Sequence, residues 1–370
     1  KREYVAPEGP TEAAVAAAME DVLGCGRIGR NDDFFLLGGD SVKVIEAISL
    51  LDELPLDTET FFAGRTPAGI VQLIENGGAE APAFERVEKA AYPLTSSQLG
   101  IYYAVAGHPD TLMYNNPISV RLPADIDSGR LISAVEQAVN NHRAYHCSID
   151  LLDGVPNMIP NDRAFAVEHM QVSDPEAALR DFVRPFDLKG GELIRACLYE
   201  GGEEKILALD AHHIVFDGTT LSVLLKEIAR AYEGKELYEE KTSAFDLSVW
   251  EETVKASEKY AEACAYYDSL FEGIEPENDF PADFPDTGNA TQRTVEATLA
   301  PDREKMLKFL RENSVTENSL LLAAYAYVLA KFNGTDRSLV CVGESGRHTS
   351  MTWNTAGMMV KTIALPVDLS

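Results

Sequence analysis

Positive charge is scarce in this chain: 32 Lys and Arg stand against 60 Asp and Glu, a formal charge of −28 at pH 7. A phosphate-backbone partner needs a basic stripe, so nucleic-acid binding is not expected. The acidity is spread along the chain without runs of one sign, which fits a solvated surface better than a dedicated basic partner. Long apolar runs are missing too. No stretch approaches the roughly 18 to 20 residues that a membrane-spanning helix requires. Residues 1–30 hold no apolar core behind basic residues of the kind that marks a secretory signal. Cys25, Cys147, Cys197, Cys264 and Cys341 are odd in number, far apart and never in a CxxC pair. That predicts free thiols in a reducing cytoplasm and no zinc-site spacing. The seven histidines form no HExxH pattern and only His212 and His213 adjoin, so no metal is expected. Internal repeats and low-complexity tracts are also absent.

What is present is an ordinary globular composition, 45% hydrophobic and 25% charged over 370 residues. At about 150 residues per domain this predicts two or three domains. The first residue is Lys1 rather than Met, which suggests a piece of a longer chain. Residues 11–23 read as a helix with Thr11 as N-cap and Gly24 just past its end. A second helix should begin at Ser41 with Val42, Val44, Ile45 and Ile48 as its buried stripe. A third starts at Thr66-Pro67 and ends at Gly77-Gly78, so residues 8–78 form a small helical bundle. Residues 79–91 are small and polar, as in a linker.

From Tyr92 the pattern alternates. Helices are predicted at 96–105, 128–141, 175–183, 219–232, 246–270, 301–313 and 317–332. Strands are predicted at 117–122, 193–199, 205–211, 294–299 and 338–343, which makes this a mixed α/β region.

Two constellations carry chemistry. Residues 32–41 read DDFFLLGGDS, where Gly38 and Gly39 allow a tight turn, Asp40 flanks the helix start and Ser41 presents a hydroxyl in the first turn. A phosphodiester there would face free N–H groups and the positive end of the helix dipole. A plain N-cap serine accounts for the spacing equally well. Residues 212–218 read HHIVFDG directly after the strand KILALDA. Side chains alternate along a strand, so His212 and His213 should diverge, one toward a reaction channel and the other into packing. Asp217 would fix a histidine tautomer or pair with an arginine, and Gly218 permits a sharp entry into the next helix. An isolated His-His is more often a buried, satisfied pair than a site.

DDFFLLGGDSVKVI resembles the modification motif of peptidyl carrier domains in nonribosomal peptide synthetases, and YVAPEGPTEAAV resembles the segment that joins an adenylation domain to such a carrier. HHxxxDG between a strand and a helix resembles the condensation domains of the same synthetases. YPLTSSQLGIYY (92–103), RPFDLKGGELIRACL (184–198), AFDLSVW (244–250), GESGR (343–347) and GMMVKTIALP (357–366) follow the family in order. Two positions depart from it: His146 and Gly100 stand where the family often has Arg.

The resemblance implies an all-α four-helix carrier bundle at 8–78, a linker at 79–91, and α/β condensation lobes of a chloramphenicol-acetyltransferase-like sandwich. The first lobe would span 92–270, and 271–370 would be part of a second lobe that the family continues further. The tunnel between lobes would then be incomplete and the piece alone short of full activity. It implies 4′-phosphopantetheine on Ser41, beside Asp40 and Gly39, with an aminoacyl or peptidyl thioester on its thiol. Preceding the condensation domain, the carrier would act as donor. His213 would serve the amine that attacks the thioester, as base or as stabiliser of the tetrahedral intermediate, with His212, Asp217 and Gly218 around it. Asp217 is expected to pair with Arg347 and so tie the lobes together.

The implied partners are an upstream adenylation domain, a downstream acceptor carrier and a phosphopantetheinyl transferase, with the chain working as a monomer. Several relatives compete. An epimerization domain usually continues with a Ser-Trp-Arg run after the Gly, where this chain has Thr219-Thr220-Leu221-Ser222. A heterocyclizing relative would replace the histidines, and an ester-forming one stays open. A catalytically silent recruitment platform is disfavoured by the retained His213, and a simple acetyltransferase by the carrier in front.

Overall fold

The computed structural model describes residues 4–39, 41–51, 54, 56, 58–75, 84–202, 204–273, 295–313, 315–347 and 349–370. The chain divides into two compact units: Lys1–Glu80 with Glu262–Glu344 and Thr362–Ser370, and Ala81–Ala261 with Ser345–Lys361.

The first unit opens with four helices, α1 (Gly9–Leu23), α2 (Ser41–Ser49), α3 (Thr58–Gly64) and α4 (Pro67–Glu75). Their apolar faces bury Val15, Met19, Val44, Ile48 and Phe61, with Phe34 of the α1–α2 loop packed among them. α1 starts earlier than Thr11 predicts. Pro10 suits a first helical turn, and the Glu12 carboxylate takes the free N–H of Glu8 at 2.7 Å. Gly24 ends the helix in the left-handed region at φ 58°. The third helix in the sequence reading is α4; α3, seven residues long, has no such clear start signal. Gly77 and Gly78, where that helix was to end, lie outside the described residues.

The second unit holds β1 (Tyr92–Pro93), α5 (Ser96–Ala106), β2 (Asn115–Leu122), α6 (Ser128–Asn140), β3 (Cys147–Leu152), β4 (Val155–Pro160), β5 (Glu168–Gln171), α7 (Pro175–Ala178), β6 (Ile194–Gly201), β7 (Glu204–His212), α8 (Gly218–Tyr232) and α9 (Ala244–Lys255). One sheet runs β2-β7-β6-β5, antiparallel except for the β5–β6 pair, and a smaller one runs β1-β4-β3. Residues 194–199 of β6 are buried on both faces, as befits an inner strand. Leu131 and Val135 of α6 and Leu224 of α8 join Leu198 and Leu209 in the main core. Phe182, Cys197, Tyr199 and Ala208 pack on the other face of the sheet.

The rest of the first unit comprises most of α10 (Glu258–Leu270), then α11 (Arg303–Asn313), α12 (Glu317–Asn333), β8 (Arg337–Glu344) and all but the first residue of β9 (Lys361–Asp368), with β8 paired to β9. Ala326, Leu329 and Val340 form its small core.

Three predicted elements change. The single helix over 246–270 breaks between α9 and α10, where Ser257 Oγ accepts the N–H of Tyr260 at 3.2 Å and starts a new cap. The helix over 175–183 gives one α-turn and then a 3-10 turn at Leu179–Asp181. Residues 295–299 form no strand: Val295 and Leu299 are 91% and 83% exposed, and no described strand pairs with them. The β3–β4 hairpin is new. Its turn is Asp153-Gly154 with φ 51° and 81°, the signature of a tight hairpin turn.

Candidate active site

The loop before α2 is tied by side chains on either side. Asp33 Oδ1 accepts the N–H groups of Phe35 and Leu36 at 2.9 and 3.0 Å, and Asp33 Oδ2 accepts Arg65 Nε at 2.7 Å. The fully buried Phe34 ring meets Phe61 edge-on at 5.0 Å. A Cβ on Gly39 would lie 2.2 Å from the Phe34 ring, so packing demands glycine there. Gly38 stands at φ +100° with open space around it, a conformation glycine adopts without strain. The chain enters α2 at Ser41, and a phosphodiester on that residue would meet the N–H groups of a nine-residue helix. These features fit a phosphopantetheine arm on Ser41. Asp40 and the side chains of Ser41 and Val42 lie outside the described residues.

The second constellation is built at the end of β7. The strand runs through His212, whose Cα partner on β2 is Asn115, and His213 opens a 3-10 turn over His213–Val215. The turn sets both tautomers. Ile214 N donates to His212 Nδ1 at 3.1 Å, which leaves the proton of that ring on Nε2. Burial, and then the proximity of His213, push His212 down to about 4, so its ring is neutral at pH 7. It packs edge-on to Phe186 at 5.8 Å and forms part of the wall of a cavity of about 460 Å³ bordered by Tyr102, Ile149 and Lys189. His213 is half-buried, and its Nδ1–H donates to the carbonyl of Phe216 at 2.6 Å. In the neutral ring the proton is therefore on Nδ1 and the lone pair on Nε2.

Asp217 caps α8. Its Oδ1 accepts Thr220 N at 2.8 Å, and its Oδ2 accepts Arg347 Nη1 at 2.9 Å and Met359 N at 3.0 Å. Burial would raise this carboxyl, but the Arg347 charge and these hydrogen bonds outweigh it and hold Asp217 below the ordinary carboxylate range. Arg347 is 1% exposed and also donates to Thr220 Oγ1 and the carbonyl of Thr355, each at 3.0 Å. Both partners of the ion pair lie in the second unit, because Ser345–Lys361 returns to it. Gly218 has an ordinary φ and open space where a Cβ would stand, so the fold does not require glycine there.

Three residues of this centre lie in stretches the sequence singles out, but their individual roles are not read from it. Thr220 is the hub between Asp217, Arg347 and Gly357. Gly346 stands at φ +70° with Met359 O 2.2 Å from any Cβ it would carry. Gln98 donates from Nε2 to the carbonyl of Ile214 at 2.9 Å, inside the histidine turn. The two departures from the family pattern sit apart: His146 donates from Nδ1 to the Arg163 carbonyl at 2.8 Å, and Gly100 is exposed.

His142, Glu227 and Glu240 make a separate buried cluster. His142 meets Glu240 at 2.9 Å through Nδ1 and Glu227 at 3.1 Å through Nε2. Burial would lower His142, but the hydrogen bonds and charges of the two carboxylates raise it to about 9.

Residues 88–370 match the condensation domain family, and residues 13–74 match the phosphopantetheine attachment site. The chain belongs to the condensation domain family and carries a phosphopantetheine attachment domain in front, the order of a nonribosomal peptide synthetase module. It is similar to bacitracin synthase 3 of Bacillus licheniformis, 31% identical over 98% of this chain and 6% of that protein. Among solved structures it resembles the first condensation domain of the CDA synthetase, with TM-score 0.58 and 21% identity over 76% of this chain and 72% of that one. The X-domain in its complex with OxyB from teicoplanin biosynthesis gives TM-score 0.67 and 19% identity, covering 80% and 69%. The fold is thus shared by a condensation domain and an X-domain. No described helix is long and apolar enough to cross a membrane.

Proposed function

We propose that this chain forms a peptide bond between two carrier-bound residues, with its own carrier as donor. The boundaries we assign are 8–78 for the carrier, 79–91 for the linker, and 92–270 and 271–370 for the two lobes. Ser41 bears the phosphopantetheine, which supplies the thioester that activates the acyl group. An upstream adenylation domain would choose that group, a phosphopantetheinyl transferase would attach the arm, and a downstream carrier would bring the acceptor amine. Tethering turns a bimolecular encounter into a local one at high effective concentration.

The observation that carries the reading is the tautomer of His213. With Nδ1–H committed to the Phe216 carbonyl, Nε2 accepts an N–H of the incoming α-amine and holds its lone pair toward the acyl carbon. An α-amine has an unperturbed pKa of roughly 7.7 to 8.0, so a reactive neutral fraction exists near pH 7 and a strong base is not needed. His212, neutral and hydrogen-bonded to the turn, orients it. Asp217 is fully engaged with Thr220, Arg347 and Met359, which supports a structural role rather than proton transfer. The open space at Gly218 leaves room for substrate to approach the motif.

The test uses the intact module with Ser41 carrying a labelled L-aminoacyl-phosphopantetheine and a free aminoacyl-pantetheine as acceptor. Mass spectrometry with chiral analysis follows the label. A dipeptide that disappears in His213→Ala supports condensation. Racemised label left on Ser41 with no dipeptide would mean epimerization, and an unchanged label would mean a silent platform.

A further inference from the structure

Gln98 lies in α5, 1% exposed, and every hydrogen-bonding position of its amide is taken. Oε1 accepts Thr95 N at 3.0 Å and lies 3.3 Å from the Thr95 hydroxyl. Nε2 donates to the Ile214 carbonyl at 2.9 Å, with Met158 Sδ at 3.5 Å on its other side. The amide orientation follows from this network, since a backbone N–H can only meet the oxygen and a carbonyl can only meet the nitrogen.

Half of this pattern is a capping box: Thr95 takes the N–H of Gln98, and the Gln98 side chain takes the N–H of Thr95. A glutamate would serve that half equally well. It would not serve the other half, because a carboxylate has no proton for Ile214 O. The side chain at 98 must therefore be an amide for the sake of the turn that starts at His213. Ile214 is the residue whose N–H fixes the His212 ring and whose carbonyl Gln98 holds. The same turn carries the Phe216 carbonyl that fixes His213.

We propose that Gln98 is a positioning residue that locks the His213–Val215 turn through the Ile214 carbonyl, and so keeps the His213 proton on Nδ1 and the lone pair on Nε2. It acts 115 residues upstream of the histidine in sequence and touches no reacting atom. The proposal rests on the role given to His213 above, and the readouts keep the two separable.

The decisive variant is Gln98→Glu read at alkaline pH, where the ionised carboxylate retains the cap and the shape but loses the donor; Gln98→Met removes both at any pH. Imidazole ¹⁵N NMR of the histidine-labelled chain, with the His213 signals identified by their loss in His213→Ala, reports the tautomer without any activity. Circular dichroism checks that each variant is folded. We expect the Nδ1–H pattern of His213 to be lost or mixed in Gln98→Glu. In the intact module we expect dipeptide formation to fall ~10- to 100-fold in kcat, with KM for the acceptor thioester within about twofold. His213 signals that stay as in the parent protein would overturn the proposal whatever the rate does, since a slow enzyme with an unmoved tautomer means a merely structural glutamine. If instead His213→Ala keeps its activity, the function proposed above fails while the NMR result still decides the role of Gln98.

Discussion

The hydroxyl of Thr220 and the backbone of Gly357 exchange contacts in both directions: Oγ1 lies 2.9 Å from the Gly357 carbonyl and accepts the Gly357 N–H at 3.1 Å. The same oxygen stands 2.9 Å from Asp217 Oδ1 and accepts Arg347 Nη2 at 3.0 Å. One hydroxyl proton thus faces two acceptors while two donors share its lone pairs, and all of it is buried. Thr220→Val keeps the volume, strands the Gly357 N–H and takes one of its acceptors from Arg347 Nη2, which keeps the Thr355 and Gly357 carbonyls. A stranded group costs about 1–3 kcal/mol, so we expect a clear loss of stability in urea melts. Thr220→Ser should lose much less, and equal losses in the two variants would show that the hydroxyl is not the hub.

Removing one partner of the ion pair at its centre should be costlier still. Arg347→Ala leaves the Asp217 carboxylate buried without its cation, a change worth about 3–5 kcal/mol. Asp217→Asn leaves Arg347 charged and buried, and should also destabilise. A double-mutant cycle should be strongly non-additive, because the second removal relieves the charge stranded by the first. Additive losses would mean that the 2.9 Å contact contributes little.

The buried His142 gives stability an alkaline dependence. Its native value of about 9 lies above the ordinary 6.5, because Glu227 and Glu240 favour the protonated ring over the effect of burial. A group raised on folding stabilises fully below its unfolded value and loses that contribution as pH climbs through its folded value. Stability from this site should therefore fall between about pH 6.5 and 9. Urea midpoints measured across that window should decline in the parent chain, and the decline should flatten in His142→Asn.

Two glycines should behave in opposite ways. Gly346→Ala forces a left-handed backbone at φ +70° on an ordinary residue and drives its Cβ to 2.2 Å from Met359 O. Such strain costs about 1–3 kcal/mol or more, with the Arg347 segment displaced. Gly218→Ala meets open space at an ordinary φ, so its melting midpoint should stay near that of the parent. A drop in dipeptide formation at preserved stability in Gly218→Ala would point to substrate passing that position.

Local signals were the readable part of this sequence. The apolar periodicity of α6 and α8, the glycines before Ser41 and the strand before HHIVFDG lie within a few residues of what they specify, and the elements appear where they point. Asp153-Gly154 also marks a hairpin turn, but its flanking strands include Pro156 and Pro160 and were obscured by them. Residues 295–299 alternate like a strand and have no ladder partner among the described residues. Alternation predicts a face, and only a neighbour makes a strand of it. The centre around Asp217 was half legible: the Arg347 pair followed from the family pattern, whereas Thr220 and Gln98 depend on chain segments more than 100 residues apart meeting in space, and Gly346 on the close return of Met359.

His142 also makes folding an act of proton capture. Near pH 8 an unfolded histidine is mostly neutral, whereas the ring between Glu227 and Glu240 is held charged. Assembling the second unit at that pH withdraws protons from the surrounding buffer at this position, and unfolding returns them. The heat released on folding then includes whatever the buffer spends on giving them up, so the calorimetric enthalpy is a property of the protein and its solution together.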